Sequence, residues 1–301
     1  MSIEGIKLFL DSGAFSVKSK GVSVDVYDYI NFVRNHRDAI HIYANLDVIG
    51  DAKATLQNQK IMEASGLHPL PVFHLGENKK YLMYYIDRYD YIALGGLVGK
   101  ASQLVYWLDD LFSRYLCHAD GIPRVKVHGF GLTSLRLMLR YPWYSVDSTS
   151  WVITSRMGVI YVPRFKGGNW VYNENSWKIS VSAKSPLKRQ AGKHFTTLSP
   201  TEQRIILNYI HSKGYKMGKS KFVKVSRDYK PKDNERWAEK KTAGGHKRLL
   251  EIIEEPGLCN SYQLRDQINA IYFLDLEKSM PEWPWPFKIR AARTTGLGLY
   301  T

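Results

Sequence analysis

Residues 7–15, KLFLDSGAF, run three apolar side chains directly into Asp11-Ser12-Gly13, and this junction decides the reading of the fold. Leu8, Phe9 and Leu10 suit a buried β-strand, while the polar and glycine residues behind them suit a loop at the strand's end. The junction recurs along the first half of the chain. IHIYANLD (40–47) ends on Asp47, LPVFHLGE (70–77) turns at His74, and YIALGGLVG (91–99) turns at Gly95 and Gly96. VKVHGFGLT (125–133) turns at His128, and WYSVDSTSW (143–151) carries Asp147. Intervals of roughly 20 to 35 residues with helix-compatible sequence between them have the rhythm of a (β/α)8 barrel of TIM type, whose chemistry sits at the C-terminal strand ends. Three of the junctions carry carboxylates, so an enzyme is the leading expectation.

The intervening sequence has helical character. VDVYDYINFVRNH starts behind a capping Asp25, DAKATLQNQKIMEASG stops at Gly66, and SQLVYWLDDLFSRYLCHADG and TSLRLMLRYP follow the fourth and fifth strands. After Trp151 the alternation loosens. GVIYVPRF is a seventh strand candidate, with NWVYN or WKISVS placed to pair beside it. LSPTEQRIILNYIHSKG predicts a helix with Ser199 as cap, Pro200 in the first turn, Glu202 at the capping-box position and Gly214 at the end. RLLEIIEE and NSYQLRDQINAIYFLDLEK predict further helices, and the tail PEWPWPFKIRAARTTGLGLYT reads as extended. The expected division is a barrel catalytic core over 1–195 and a basic, mainly helical portion over 196–301 packed on it.

At 301 residues, 44% hydrophobic and 13% aromatic, the chain has the composition of a folded protein with a sizeable core. No apolar run approaches the ~18 residues that cross a bilayer, and MSIEGIKLFLDSG lacks a signal peptide's basic start and cleavage site. Two cysteines, Cys117 and Cys259, suit a reducing compartment; a cytoplasmic protein with no membrane partner is expected. The net charge of +15 is uneven: residues 161–301 hold 26 Lys and Arg against 13 Asp and Glu, whereas residues 1–160 hold 17 against 15. The excess is densest over 184–248, where Lys188, Arg189, Lys216, Lys219, Lys221 and Lys224 are the expected contacts to a polyanion. Phe195, Tyr209, Tyr215, Phe222, Tyr229 and Trp237 interleave these charges. They suit stacking on unpaired bases, although each taken singly reads as core.

Several familiar sites are excluded. GYKMGKSK has three residues between Gly214 and Gly218 where a phosphate-binding P-loop needs four, and it follows a helix instead of a strand. No G-x-G-x-x-G opens a helix, HExxH is missing, and neither cysteine has a neighbour at zinc-ligand spacing. His36 and His41 read as surface or core residues, so no metal and no cofactor are expected.

Asp11 and Asp147 each have an ordinary explanation as turn residues, and Asp47 as a helix cap. Three aspartates at the ends of separate parallel strands would nevertheless point into one pocket, at an electrostatic cost that a substrate offsets. Gly95, Gly96, Gly129 and Gly131 let backbone amides approach a flat ligand, and Phe130 offers a ring face. Two carboxylates and an exposed amide suit the edge of a purine-like base.

In order, LDSGAFS, ANLDVIGD, ALGGLVGK, HGFGLTS and YSVDSTSW resemble the motifs of the guanine transglycosylases, TIM-barrel enzymes that exchange guanine for a 7-deazaguanine. The resemblance spans roughly residues 8–150. It implies that Asp147 is the nucleophile toward C1′, that Asp11 binds the base edge and moves protons, and that Asp47 is a second base-binding carboxylate. It further implies that Gly96 donates to the base carbonyl, with Ser12, His74, Gly95, Leu97, His128, Phe130 and Gly131 lining the base pocket. His74 stands where the tRNA-directed members have glutamine, Ala14 and Ser16 replace Gly and Gln, and the family's zinc site is missing. These departures, with the basic second half, look most like the bacteriophage DpdA-type DNA-guanine transglycosylases, which insert preQ0 or a relative and protect DNA from restriction. DNA and a free 7-deazaguanine base are then the implied partners, and the host cytoplasm the implied location. A tRNA-directed exchange enzyme, a carboxylate glycosidase or nucleoside hydrolase, and a non-catalytic DNA-binding protein on a barrel scaffold are the alternatives.

Overall fold

The computed structural model describes residues 7–14, 21, 24–98, 101–132, 134–242 and 245–289. The chain divides into two compact units, one of residues 1–148 with 281–301 and one of residues 149–280.

In the first unit, apolar runs become strands and capped segments become helices, alternately. The order is β1 (Leu8–Leu10), α1 (Val26–Asn35), β2 (Ile40–Tyr43), α2 (Ala52–Ala64), β3 (Val72–His74), α3 (Lys79–Ile86), β4 (Tyr91–Gly95), α4 (Ala101–Leu111), β5 (Lys126–Gly129), α5 (Leu135–Met138) and β6 (Ser145–Val146). A turn of π-helix, Phe112–Leu116, prolongs α4. Asp25 caps α1 by accepting from the N–H groups of Tyr27 and Asp28, and Asp51 caps α2 from Ala54. Gly66, at φ +77°, leaves α2 in the left-handed conformation that a C′ glycine supplies. Tyr29, Ile30 and Val33 of α1 pack with Leu46, Met62 and Leu67, the spacing of a helix face turned to a core. Val72, Phe73, Ile92, Ala93 and Leu94 are all buried, as expected of strands covered on both faces.

Strand order follows chain order. β1 pairs with β2, β3 with β4, β4 with β5 and β5 with β6, all in parallel, and a parallel bridge from Ala44 to Leu70 carries the run from β2 into the entry to β3. The registers Leu10↔Tyr43, His74↔Gly95 and Gly129↔Val146 set the strand ends level, so the residues immediately beyond them share one rim. This is the order of a singly wound barrel. Closure into the expected (β/α)8 barrel is not seen: among the described residues β1 and β6 each pair with a single strand.

The seventh strand candidate does not continue the parallel run. GVIYVPRF forms β7 (Val159–Val162) in the second unit, antiparallel to β10 (Trp177–Ser180), and β8 (Arg164–Lys166) pairs with β9 (Asn169–Val171) as a hairpin. The tight turn between Lys166 and Asn169 holds β8 and β9 antiparallel, since a parallel return needs a crossover of a dozen or more residues. Ahead of β7 lies α6 (Ser150–Arg156). Helix α7 (Pro200–Ser212) has the predicted capping box between Ser199 and Glu202, and α8 (Tyr262–Ser279) starts behind Ser261. Ile160, Val162, Ile179, Ile206, Tyr209, Ile210 and Ile268 form the core of this unit.

RLLEIIEE is a strand, not the expected helix. It lies in β13 (Gly245–Glu255), between β11 (Lys219–Val223) and β12 (Glu235–Thr242) in an antiparallel sheet. Among the described residues, the portion after residue 195 therefore mixes sheet with the helices α7 and α8 and is not mainly helical. Residues 281–289 return to the first unit, where the Phe287 ring stacks on Tyr141 at 5.4 Å and Trp283 donates to the Pro142 carbonyl. The boundary suggested by composition at 195 thus differs from the division at 148/149 and 280/281. Among the described residues, no helix is long and apolar enough to cross a membrane.

Candidate active site

Asp11 leaves β1 into a tight turn, its carboxylate accepting from the Gly13 N–H at 3.3 Å while Ser12 Oγ accepts from Ala14. That is the ordinary work of a turn aspartate. The surroundings add something a surface turn lacks. Burial pushes the Asp11 carboxyl above its usual 3.8, and the charges of Asp47 and Asp147 push the same way, against the Gly13 hydrogen bond. Asp11 keeps a solvent-facing edge.

Asp47 is held on both oxygens. Ser12 Oγ donates to Oδ1 at 2.5 Å and His74 Nε2 lies 2.9 Å from Oδ2, leaving the side chain only 8% exposed. Asp47 is not a helix cap, since Asp51 takes that position on α2. His74, the last residue of β3, has its other ring nitrogen 3.3 Å from Glu77 Oε1, while Glu77 Oε2 accepts the His74 backbone N–H at 2.9 Å. Burial disfavours the imidazolium, but hydrogen bonds and charges from Asp47 and Glu77 outweigh it and hold its pKa up at about 9. His74 is therefore a buried cation at neutral pH between two carboxylates. With both nitrogens engaged, it orients Asp47 and has no free ring donor for the base contact expected of it.

The glycine knot on β4 serves this arrangement. A Cβ on Gly95 would collide with the His74 ring, coming within 2.7 Å of Nε2. The absent side chain is what lets the imidazole lie across the neighbouring strand and reach Asp47. Gly96 bends away at φ +80°, and Leu97 is buried against Gly129.

Asp147 follows β6. Its side chain is 46% exposed, and Oδ1 accepts the Gly131 N–H at 2.7 Å. Gly131 presents that N–H from a left-handed turn at φ +65°, where Val98 leaves no space for a Cβ. His128 Nε2 lies 3.5 Å from the same oxygen without a hydrogen bond. The far side of the His128 ring is fixed, with Nδ1 2.7 Å from Ser145 Oγ, which in turn is 2.5 Å from the Tyr91 hydroxyl. Phe9 stacks on the ring at 4.4 Å and Phe130 meets it edge-on at 4.5 Å. His128 is buried, so it supports Asp147 from beneath.

The strand-end residues expected at the rim thus lie together, with unequal surroundings. Asp147 is open and held by one backbone donor, Asp47 is clamped, and Asp11 has raised proton affinity. Glu77, Ser145, Tyr91 and Phe9 were missed. Each stands at an unremarkable sequence position, and only its proximity to His74 or His128 gives it a role. Glu77, three residues after His74 in the same junction, was the one within reach of the pattern.

The expected polyanion contacts belong to the second unit. Lys188, Lys216, Lys219, Lys221 and Lys224 are exposed, and Lys216 and Lys219 face Glu255 at 3.8 Å and Glu254 at 2.9 Å. The Arg189 side chain, Ser16 and residues 290–301 lie outside the described residues. Tyr209 is core, Phe195 and Tyr215 pack against that core, and Trp237 lies under the Arg248 guanidinium at 4.1 Å. Cys117 and Cys259 are free and buried. Among the described residues no group of three or more His, Cys, Asp or Glu is placed to hold a metal ion. No family model, no curated protein and no solved structure matches the chain.

Proposed function

We propose that the chain is a transglycosylase that exchanges guanine in DNA for a 7-deazaguanine base of the preQ0 type through a covalent aspartyl-glycosyl intermediate. The observation that carries the reading is the differentiation of the three rim carboxylates. Neighbouring carboxyl groups whose environments separate their proton affinities are suited to different roles in acid–base and nucleophilic chemistry. Asp147, exposed and oriented by the Gly131 N–H, is suited to attack C1′. The C1′–N9 bond breaks, its electron pair leaves on guanine, and Asp11, whose proton affinity burial raises, acts in its acid form to protonate the departing base. The incoming base then gives its N9 proton to Asp11 as it displaces the Asp147 ester. Asp47, fixed by Ser12 and His74, accepts from the base's N–H edge through its remaining lone pairs. The target nucleotide must leave the stack to reach this rim, at a cost of a few kcal/mol.

DNA, in preference to tRNA, follows from the resemblance of the motifs; the positive charge of residues 161–301 suits either polyanion. The test is to incubate the chain with guanine-labelled DNA, or with guanine-labelled tRNA, with and without preQ0. Release of label from DNA that depends on preQ0, with the new base recovered in the DNA, supports the reading. Release without incorporation identifies a hydrolase, and activity confined to tRNA identifies the tRNA-directed alternative. Asp147→Ala is expected to lower exchange by at least ~10⁴-fold while DNA binding is kept. Unchanged exchange in Asp147→Ala rejects the assignment.

A further inference from the structure

The second unit contains a cavity of about 600 Å³ that no part of the rim chemistry uses. Its wall gathers Arg156 from the end of α6, Lys184, Arg236 from β12 and Arg265 from α8, together with the polar Ser182 and Asn260. Glu251 forms ion pairs with two of these four cations, and the charge of Asp266 acts on Arg265. Glu251 is fully buried on β13, where it meets Arg236 Nε at 2.8 Å across the β12–β13 register and Lys184 Nζ at 3.1 Å.

Arg265 is the informative member. It is 5% exposed, and its guanidinium donates from Nε to the Ser155 carbonyl and from Nη1 to the Leu258 carbonyl. Among the described residues no carboxylate forms an ion pair with it. Burial disfavours its charge, yet a guanidinium does not give up its proton in a protein. The charges of Asp266 and Glu251 favour the guanidinium without pairing with it directly, so a bound anion would add the close pairing that a buried cation otherwise lacks. The N-terminus of α8, an 18-residue helix, adds its positive end beside Tyr262, which also lines the cavity.

We infer that this cavity binds a phosphate group, with Arg265 as the buried anchor and Arg156 and Lys184 at its mouth. Planar guanidinium groups match phosphate oxygens two at a time, which lysine surface charge does not. The phosphate comes either from a polynucleotide backbone or from a free mononucleotide, and the cavity volume lies in the usual range for small-molecule sites. The inference goes beyond base exchange and stands whether or not that activity is found.

The test uses the full chain and three probes: inorganic phosphate, dGMP and a fluorescein-labelled 12-nucleotide single-stranded DNA. Each is titrated into the wild type, Arg156→Ala and Arg265→Lys by calorimetry or anisotropy. Arg156 is exposed, so its alanine variant is expected to fold and decides the matter should Arg265→Lys not fold. Weakening of at least one probe by about 5- to 10-fold in Arg156→Ala is expected, with Arg265→Lys weaker still. A backbone source shows as a loss confined to the oligonucleotide, with the slope of log K against log[salt] reduced by about 1. A mononucleotide source shows as a loss in dGMP binding. Equal binding of all probes to wild type and Arg156→Ala, or binding of none to the wild type, overturns the inference.

Discussion

The buried imidazolium of His74 gives the rim a pH signature whose sign and size follow from the geometry. In the folded chain its pKa is held up at about 9, against 6.5 ordinarily. A cation favoured by folding stabilises fully below pH 6.5, and the contribution is lost as pH rises through the window from 6.5 to about 9. At ~1.4 kcal/mol per pH unit, that interval corresponds to roughly 3 kcal/mol. The side chain is 6% exposed, so solvent screening takes little from the figure. His74→Gln keeps hydrogen-bonding capacity beside Asp47 and Glu77 but carries no charge at any pH. The variant is expected to be roughly 3 kcal/mol less stable than the wild type near pH 6 and nearly equal to it at pH 9.5. Urea denaturation midpoints at four or five pH values across this window measure the gap, and using the difference between the two proteins cancels the titration of lysines and tyrosines. A constant gap from pH 6 to 9.5 would show that His74 is not the charged partner of Asp47, and the assignment of its role would fail.

Gly95→Ala places a Cβ where the His74 ring lies; it is expected to cost roughly 1–3 kcal/mol and to bring the His74 pKa back toward 6.5. An NMR titration in which His74 keeps its raised pKa in that variant would refute the steric argument. Glu251→Ala removes the buried carboxylate that Arg236 and Lys184 hold from the solvent side and, since both cations can reach water, is expected to cost roughly 1–3 kcal/mol at pH 7. Although burial opposes it, pairing with Arg236, Ser220 and Lys184 holds the Glu251 carboxyl below its usual 4.5. Its contribution is therefore present above pH 4.5 and lost as pH falls through the depressed value; denaturation of wild type and variant should converge at low pH, and a gap unchanged there would contradict the pairing.

Much of the first unit, and helix α7 of the second, was legible because the signals are local. Asp25, Gly66 and the Ser199–Glu202 box act on their own helices, and the six apolar-to-polar junctions mark strand ends whatever the neighbours do. RLLEIIEE was misread because a short apolar run fits either period, and what decides it is pairing with β11 and β12, residues 219–242. The seventh strand was recognised as a strand and WKISVS was one of its two candidate neighbours, as the pairing with Trp177–Ser180 bears out; the antiparallel sense of that pairing is a matter of packing. At the rim the sequence pointed to the carboxylates and to His74 but not to the relation among them. His74 carries no sign in the sequence that Glu77 and Asp47 will both hold it, and a glycine read as room for a ligand proves to be room for the His74 ring. Arg265 and Glu251 were invisible for the same reason, since burial of a charge depends on contacts far away in sequence.

The central claim is that Asp147 attacks a sugar carbon while Asp11 and Asp47 handle the base. The most direct measurement is an acid-quenched reaction of the chain with a guanine-containing DNA oligonucleotide and no incoming base, followed by peptide mass analysis. The account predicts a DNA-bound peptide containing Asp147, discharged by preQ0 and absent in Asp147→Ala. Exchange that proceeds in Asp147→Ala, or an adduct carried on a different residue, would contradict it.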